Sequence, residues 1–237
     1  MTYNKLFISD LHIGSNGFKD SQFKSFLSSL SCEHLYIVGD AIDSWLIKNP
    51  QTSRQHLQDL LQHLQHKCQH LTLVIGNHDH TFTDGLAQDN LSITDELIIE
   101  TKNKKKFLVL HGHQFDDHQQ NIPWHYYLVN RIYEYFLCFS KALNSITKKS
   151  SSILDRWIYQ SKVWVKKRSL KSTHFYPRLH RYLDEKNVNG IIYGHTHIPE
   201  KSTRNNQEIF NTGDWIFNCS YLIENKDGEL ELHYFKS

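Results

Sequence analysis

The feature that most constrains this chain is a phrase used five times: a short apolar run, then a turn that carries aspartate, asparagine or histidine. Leu35-Tyr36-Ile37-Val38 gives way to Gly39-Asp40-Ala41-Ile42-Asp43. Leu6-Phe7-Ile8 ends in Ser9-Asp10-Leu11-His12, and Leu71 to Ile75 ends in Gly76-Asn77-His78-Asp79-His80. Phe107 to Leu110 ends in His111-Gly112-His113, and Gly190 to Tyr193 in Gly194-His195-Thr196-His197. Runs this short and this uniformly apolar predict strands buried on both faces. Polar side chains at the C-terminal ends of such strands line the crevice where α/β proteins bind ligands. A single turn aspartate is commonplace. Five such ends in one chain predict an α/β fold organised around that crevice.

Between these strands the text is helical or turn-like. Gln22 to Leu30 and Gln51 to Lys67 place leucines and phenylalanines at helical spacing and predict amphipathic helices. His56, His63, His66 and His70 lie beside glutamines, as on a solvated face. Ile93, Leu97 to Ile99, Ile209-Phe210, Trp215 to Ile223 and Leu230 to Phe235 predict further strands. Asn225-Lys226-Asp227-Gly228 is a hairpin signal between the last two. From about 114 to 186 the chain turns helical, aromatic and basic. At 237 residues, one α/β domain spanning 1–237 with that stretch as an insertion is the expected organisation.

Composition narrows the class. Lysine and arginine number 27 against 25 acidic residues, so the net charge of +2 argues against a chain that coats nucleic acid. The four cysteines form no CxxC pair, which predicts buried thiols in a reducing compartment. No apolar leader opens the chain and no run approaches a membrane span, so a cytoplasmic location is expected.

The strand ends bring together Asp10, His12, Asp40, Asn77, His111, His195 and His197. This oxygen and nitrogen set, without thiolate, suits manganese, iron or zinc. Seven ligands exceed one ordinary site and fit two. Two neighbouring cations need a shared anion, and Asp40 on a central strand is the candidate.

These motifs resemble the calcineurin-like metallophosphoesterases: Asp10-Leu11-His12, Gly39-Asp40 with Asp43, Gly76-Asn77-His78-Asp79, His111 and Gly194-His195-Thr196-His197. The resemblance implies a four-layer fold, two stacked mixed β-sheets flanked by helices, with a helical lid insertion. It implies that one divalent ion is held by Asp10, His12, Asp40 and His197. The other would be held by Asp40, Asn77, His111 and His195, with Mn(2+) the expected metal. A phosphoester or pyrophosphate would be hydrolysed there, with His78 donating a proton to the leaving oxygen and Asp43 orienting His78. Asp79 and His80 would support the loop.

A narrower likeness lies in His111 to Asp116, in the helical insertion, and in Asn211-Thr212-Gly213-Asp214-Trp215. These resemble the UDP-2,3-diacylglucosamine pyrophosphatase branch and its close paralogues. That implies cleavage of a nucleotide-linked lipid to UMP and lipid phosphate in lipid A synthesis, at the cytoplasmic face of the inner membrane. The insertion combines aromatics such as Trp124 and Tyr127 with a basic face: the aromatics alone fit a helical hairpin packed on the core with a solvated basic face, and the charge bias points toward an anionic lipid surface. Asp116, Asp117, Lys166 and Lys167 are the candidate substrate contacts. The chain departs from the best-known members of the branch in carrying His78 where they have arginine, and His113 where they have aspartate. Two other readings compete: a phosphodiesterase acting on nucleic acid or nucleotides, and a non-catalytic scaffold of the same fold.

Overall fold

The computed structural model describes residues 2–44, 47, 49–79, 90–116, 160, 163 and 174–236. Most of the stretch predicted to be helical, with Asp117, Lys166 and Lys167, lies outside these residues, as do Trp45, Leu46 and His80.

Two mixed sheets carry the fold. The first contains β1 (Thr2–Ile8), β2 (Ser31–Val38), β3 (Cys68–Val74), β4 (Leu91–Thr94), β10 (Ser220–Glu224) and β11 (Leu230–Tyr234), in the order β11-β10-β1-β2-β3-β4. The second contains β5 (Glu96–Glu100), β6 (Lys106–Leu110), β7 (Gly190–Tyr193), β8 (Glu200–Arg204) and β9 (Gln207–Asn211), in the order β5-β6-β7-β9-β8. The strands β1 to β4 run parallel, as do β6, β7 and β9, so the polar turns after β1, β2, β3, β6 and β7 come to one end of their sheets.

The four layers follow from the period-2 alternation of strand side chains. Leu6 and Ile8 face one way, with Leu35, Ile37, Leu71 and Leu73, against α1 (Asp20–Ser28) and α2 (Pro50–Gln65). Phe7, Tyr36, Val38 and Val74 face the other way and meet Phe107, Val109, Ile192 and Phe210 between the sheets. Leu108, Leu110, Ile191 and Tyr193 complete the alternation on the outer face of the second sheet, under α3 (Phe175–Lys186). The uniformly apolar runs are therefore buried on both faces, and truncating one of these residues to alanine would cost about 2–5 kcal/mol.

One local expectation needs correction. Trp215 to Ile223 is not one strand, because β10 begins only at Ser220. The carboxylate of Asp214 accepts from the Phe217 and Asn218 N–H groups, both at 2.9 Å, and so folds this stretch into a turn. That turn drives Trp215 fully into the helix-side core against Phe23 and Phe26. A strand the sequence did not announce is β8, Glu-Lys-Ser-Thr-Arg, which has no apolar alternation and is fixed by antiparallel pairing with β9.

Candidate metal centre

The strand ends converge. Five of the seven candidate ligands adopt the left-handed backbone region: Asp10 (φ 51°), His12 (φ 47°), Asp40 (φ 52°), His195 (φ 61°) and His197 (φ 58°). Outside glycine this region is sparsely occupied, and such residues cluster at functional sites. Strand-like hydrogen bonds hold the turns there: Asp10 N–H donates to Gly39 O at 3.0 Å and His12 N–H to Asp40 O at 3.0 Å. Two glycines keep the space. A Cβ on Gly39 would stand 2.2 Å from His111 Nδ1, and one on Gly194 would stand 2.4 Å from Asp10 Oδ2.

Each carboxylate is pinned by one oxygen. Asp10 Oδ2 accepts from Ser9 Oγ at 2.5 Å and from the His195 N–H at 3.0 Å, while its Oδ1 stands 3.3 Å from His197 Nε2 and 3.8 Å from His12 Nε2. Asp40 Oδ1 accepts from the His78 N–H at 3.0 Å. Its Oδ2 lies 3.2 Å from His111 Nε2, 3.6 Å from His12 Nε2 and 3.9 Å from His78 Nε2. Imidazoles surround both carboxylates, yet Asp10 Oδ1, His12 Nε2, His111 Nε2 and Asn77 Oδ1 are buried with no hydrogen-bond partner. Leaving even one such group unsatisfied costs about 1–3 kcal/mol. Four from the ends of β1 and β6 and the Asn77 turn after β3, all of metal-ligating type, fit a cation site. Asp10, His12 and His197 form one group whose ligand atoms lie within 4.8 Å of one another, and Asp10, Asp40 and His111 form a second.

The electrostatics agree. Burial opposes charge on every one of these groups, but mutual attraction wins. Beside its burial, His197 and His12 hold the Asp10 carboxyl below its usual range, and His111 and His78 hold Asp40 well below it. The reciprocal pull of Asp10, Asp43 and Asp40 raises His12 well above an ordinary histidine, and Asp40 raises His111 to about 9. The pocket therefore stabilises positive charge.

Around this centre the imidazoles are held from behind. His111 Nδ1 donates to Val38 O at 2.9 Å, and His197 Nδ1 to Asp214 Oδ2 at 3.2 Å. His195 is turned the other way, with Nε2 on Asp116 Oδ2 at 3.0 Å and its ring 5.3 Å edge-on from that of His111. Asp43 serves two rings: its Oδ1 is 3.3 Å from His78 Nδ1 and its Oδ2 is 3.5 Å from His12 Nδ1. Asp79 accepts from the N–H groups of Gly76 at 3.1 Å, Ile42 at 3.3 Å and Ala41 at 3.4 Å, which ties the Asp40 turn to the Asn77 turn. Burial and the nearby Asp40 charge push its carboxyl up to about 6.

Of the predicted site residues, Asp10, His12, Asp40, Asp43, His78, His111 and His197 thus come within 4 Å of one another in a chain of contacts. Asn77 sits in the turn that wraps Asp40. His195 faces Asp116. Sequence reasoning gave Asp214 no role of its own; its one signal was that it, too, follows a strand end, Asn211 of β9.

The sequence pattern of the calcineurin-like phosphoesterases matches residues 4–199, and this chain belongs to that family. Its members work with a dinuclear divalent metal site, for which the groups above are candidate ligands. No curated protein matches the chain. Solved structures similar to it include vacuolar protein sorting 29 from Cryptosporidium parvum, at 14% identity and a TM-score of 0.48, covering 97% of this chain and 94% of that one. An archaeal phosphodiesterase aligns at 14% identity and a TM-score of 0.48, covering 97% and 98%. A predicted phosphoesterase from Streptococcus pneumoniae aligns at 14% identity and a TM-score of 0.41, covering 98% and 97%.

Proposed function

We propose that this chain is a hydrolase of phosphoesters or pyrophosphates that works with two divalent ions; its oxygen and nitrogen donors suit manganese, iron or zinc, and the family likeness favours Mn(2+). Asp10, His12, Asp40 and His197 would hold one ion, and Asp40, Asn77, His111 and His195 the other. The observation that carries this reading is the set of four buried, unpartnered ligand atoms gathered at the ends of both sheets. When bound, such an ion pair polarises a phosphoryl group and makes a water nucleophilic near neutral pH.

The chain's own residues supply the rest. His78 is buried beside Asp40, with Nε2 toward the centre and Nδ1 on Asp43. A carboxylate behind an imidazole fixes its orientation, so His78 is placed to hand a proton to the leaving oxygen. Asp43 also braces His12, so one side chain aligns the proton donor with a ligand of the first ion.

For the substrate, we favour a nucleotide-linked lipid of the UDP-2,3-diacylglucosamine type, cleaved to UMP and lipid phosphate in lipid A synthesis. The support is the motif likeness in His111 to Asp116 and Asn211 to Trp215, together with the aromatic and basic insertion. Such a substrate would bring the protein to the inner membrane as a peripheral partner. Among the described residues no helix is long and apolar enough to cross a membrane.

The test is a turnover assay with manganese on UDP-2,3-diacylglucosamine, bis-p-nitrophenyl phosphate and single-stranded DNA. Release of UMP from the lipid in preference to the other two supports the full reading. Cleavage of DNA alone removes the lipid. Bound manganese without turnover on any substrate removes the hydrolase and favours a binding scaffold.

A further inference from the structure

The two histidines after β7 are two residues apart, and both share the left-handed backbone. Their rings nevertheless bond outward through opposite nitrogens. His197 gives Nδ1 to Asp214, whereas His195 gives Nε2 to Asp116. A carboxylate only accepts hydrogen bonds. The hydrogen of a neutral His195 is therefore drawn to Nε2, and the lone pair a metal needs is left on Nδ1. His111 is set the other way, its Nδ1 hydrogen on Val38 O, which turns Nε2 inward.

Asp116 is well built for this task. It follows the short 3-10 turn His113–Phe115, which caps β6 directly after the ligand candidate His111. Phe115 anchors that turn in the outer core, edge-on to Phe175 at 5.9 Å and to Tyr182 at 5.7 Å, both on α3. The Asp116 N–H donates to His113 O at 3.0 Å. The side chain is 10% exposed, so little of it is presented to solvent or to a ligand arriving from it.

We propose that Asp116 is a positioning residue of the second ion: it selects the Nε2–H form of His195 and so presents Nδ1 to the metal. This rests on the two-ion reading above and differs from a direct contact of Asp116 with substrate. Outer carboxylates of this kind are generally worth about 10–100-fold in metal affinity.

The experiment uses the full chain freed of metal, then titrated with Zn(2+) so that paramagnetism does not obscure the spectra. Ring nitrogen-15 NMR of the metal-free protein at a pH where His195 is neutral should give a protonated Nε2 and an unprotonated Nδ1. Asp116→Ala should mix the two tautomers, and Asp116→Asn, which keeps an acceptor oxygen, should restore part of the preference. Calorimetric titration should show two zinc ions in the wild type. In Asp116→Ala one of them weakens about 10–100-fold while the other changes less than about threefold. Asp214→Asn should weaken the other ion instead. A wild-type His195 protonated on Nδ1 overturns the proposal by itself, leaving the two-ion reading intact. So do unchanged zinc affinities with KM alone raised, the mark of a substrate contact. Fewer than two zinc ions in the wild type overturns the two-ion reading and this proposal with it. Circular dichroism matching the wild type separates these outcomes from misfolding; should Asp116→Ala misfold, Asp116→Asn carries the test, with a smaller loss at the same ion expected and no loss overturning the proposal.

Discussion

Asp40 and Glu224 are both 2% exposed, both stand at the carboxyl end of a strand in the first sheet, and both are held below the ordinary carboxylate range. What surrounds them differs. Glu224 is closed off: Oε2 accepts from Lys5 Nζ at 2.7 Å and Asn4 Nδ2 at 2.6 Å, and Oε1 from the Lys102 N–H at 2.5 Å. Asp40 has one pinned oxygen, and the other faces three imidazoles whose nearest nitrogens are 3.2 to 3.9 Å away. Glu224 is a completed ion pair that welds β1, β10 and the β5–β6 turn. Asp40 belongs to a set of groups that attract one another without saturating one another. Burial and a depressed pKa do not separate a structural carboxylate from a functional one; unmet hydrogen-bonding capacity nearby does.

The largest effect should come from Asp40→Asn. The carboxylate proposed to be shared by both ions is lost, so manganese-dependent turnover should fall by more than about a thousandfold and neither ion should bind tightly. The sharper measurement is a pair of thermal melts. Wild-type protein should gain stability on adding manganese, by about 2.7 kcal/mol at a hundred times Kd. Asp40→Asn should gain little. The comparison breaks if manganese stabilises both equally.

His78→Ala comes next. It should keep both ions and lose about 10²–10⁴ in kcat, the usual worth of a positioned acid. Zinc or manganese stoichiometry measured beside kcat separates loss of the proton donor from loss of the site. An unchanged kcat would leave His78 as a buttress of the Asp40 turn, to which its N–H is bonded in any case.

A third prediction contrasts the centre with and without metal. His111 is raised to about 9 in the folded chain, above its ordinary 6.5, and His12 is raised as well. A raised imidazole contributes stability that is fully present below pH 6.5 and is lost as pH climbs through the folded value. Metal-free protein should therefore lose stability between about pH 6.5 and 9. With manganese bound the cation replaces those protons, so the loss should shrink or reverse. Denaturant melts at several pH values, with and without chelator, measure both slopes.

Much of this was legible in the sequence, for a physical reason. A strand buried on both faces is apolar at every position, so Leu35 to Val38 or Phe107 to Leu110 announces itself, and the polar residue that ends it stands out. The two-sheet architecture and the gathering of Asp10, His12, Asp40 and His111 follow from that grammar and the family motifs. What stayed hidden depends on contacts between distant residues. Glu200 and Arg204 in β8 pair with each other at 3.2 Å and leave no hydrophobic pattern, so only β9 reveals them as a strand. Asp43 was expected behind His78, yet its second ring, His12, lies 31 positions earlier and on another strand end. The Asp116–His195 bond spans 79 positions, and no local spacing encodes it.

The smallest effect should come from Glu224→Gln, and it tests the other half of the comparison. Removing one charge from a completed buried pair leaves the Lys5 ammonium, itself largely buried, without its counter-charge, a loss of about 2–4 kcal/mol. Manganese binding and turnover should not change, because the pair closes the end of β10 and not the ligand turns. The pH dependence fixes the cause. A carboxyl depressed in the folded state contributes stability above its unfolded value near 4.5, and that contribution disappears as pH falls through the lower folded value. The gap between wild type and Glu224→Gln should therefore be full at pH 7 and should narrow progressively below about pH 4.5. A gap of constant size down to pH 3 would mean that the amide disturbs packing and not charge. Glu224 would then no longer serve as the saturated counterpart against which the unsaturated Asp40 is recognised.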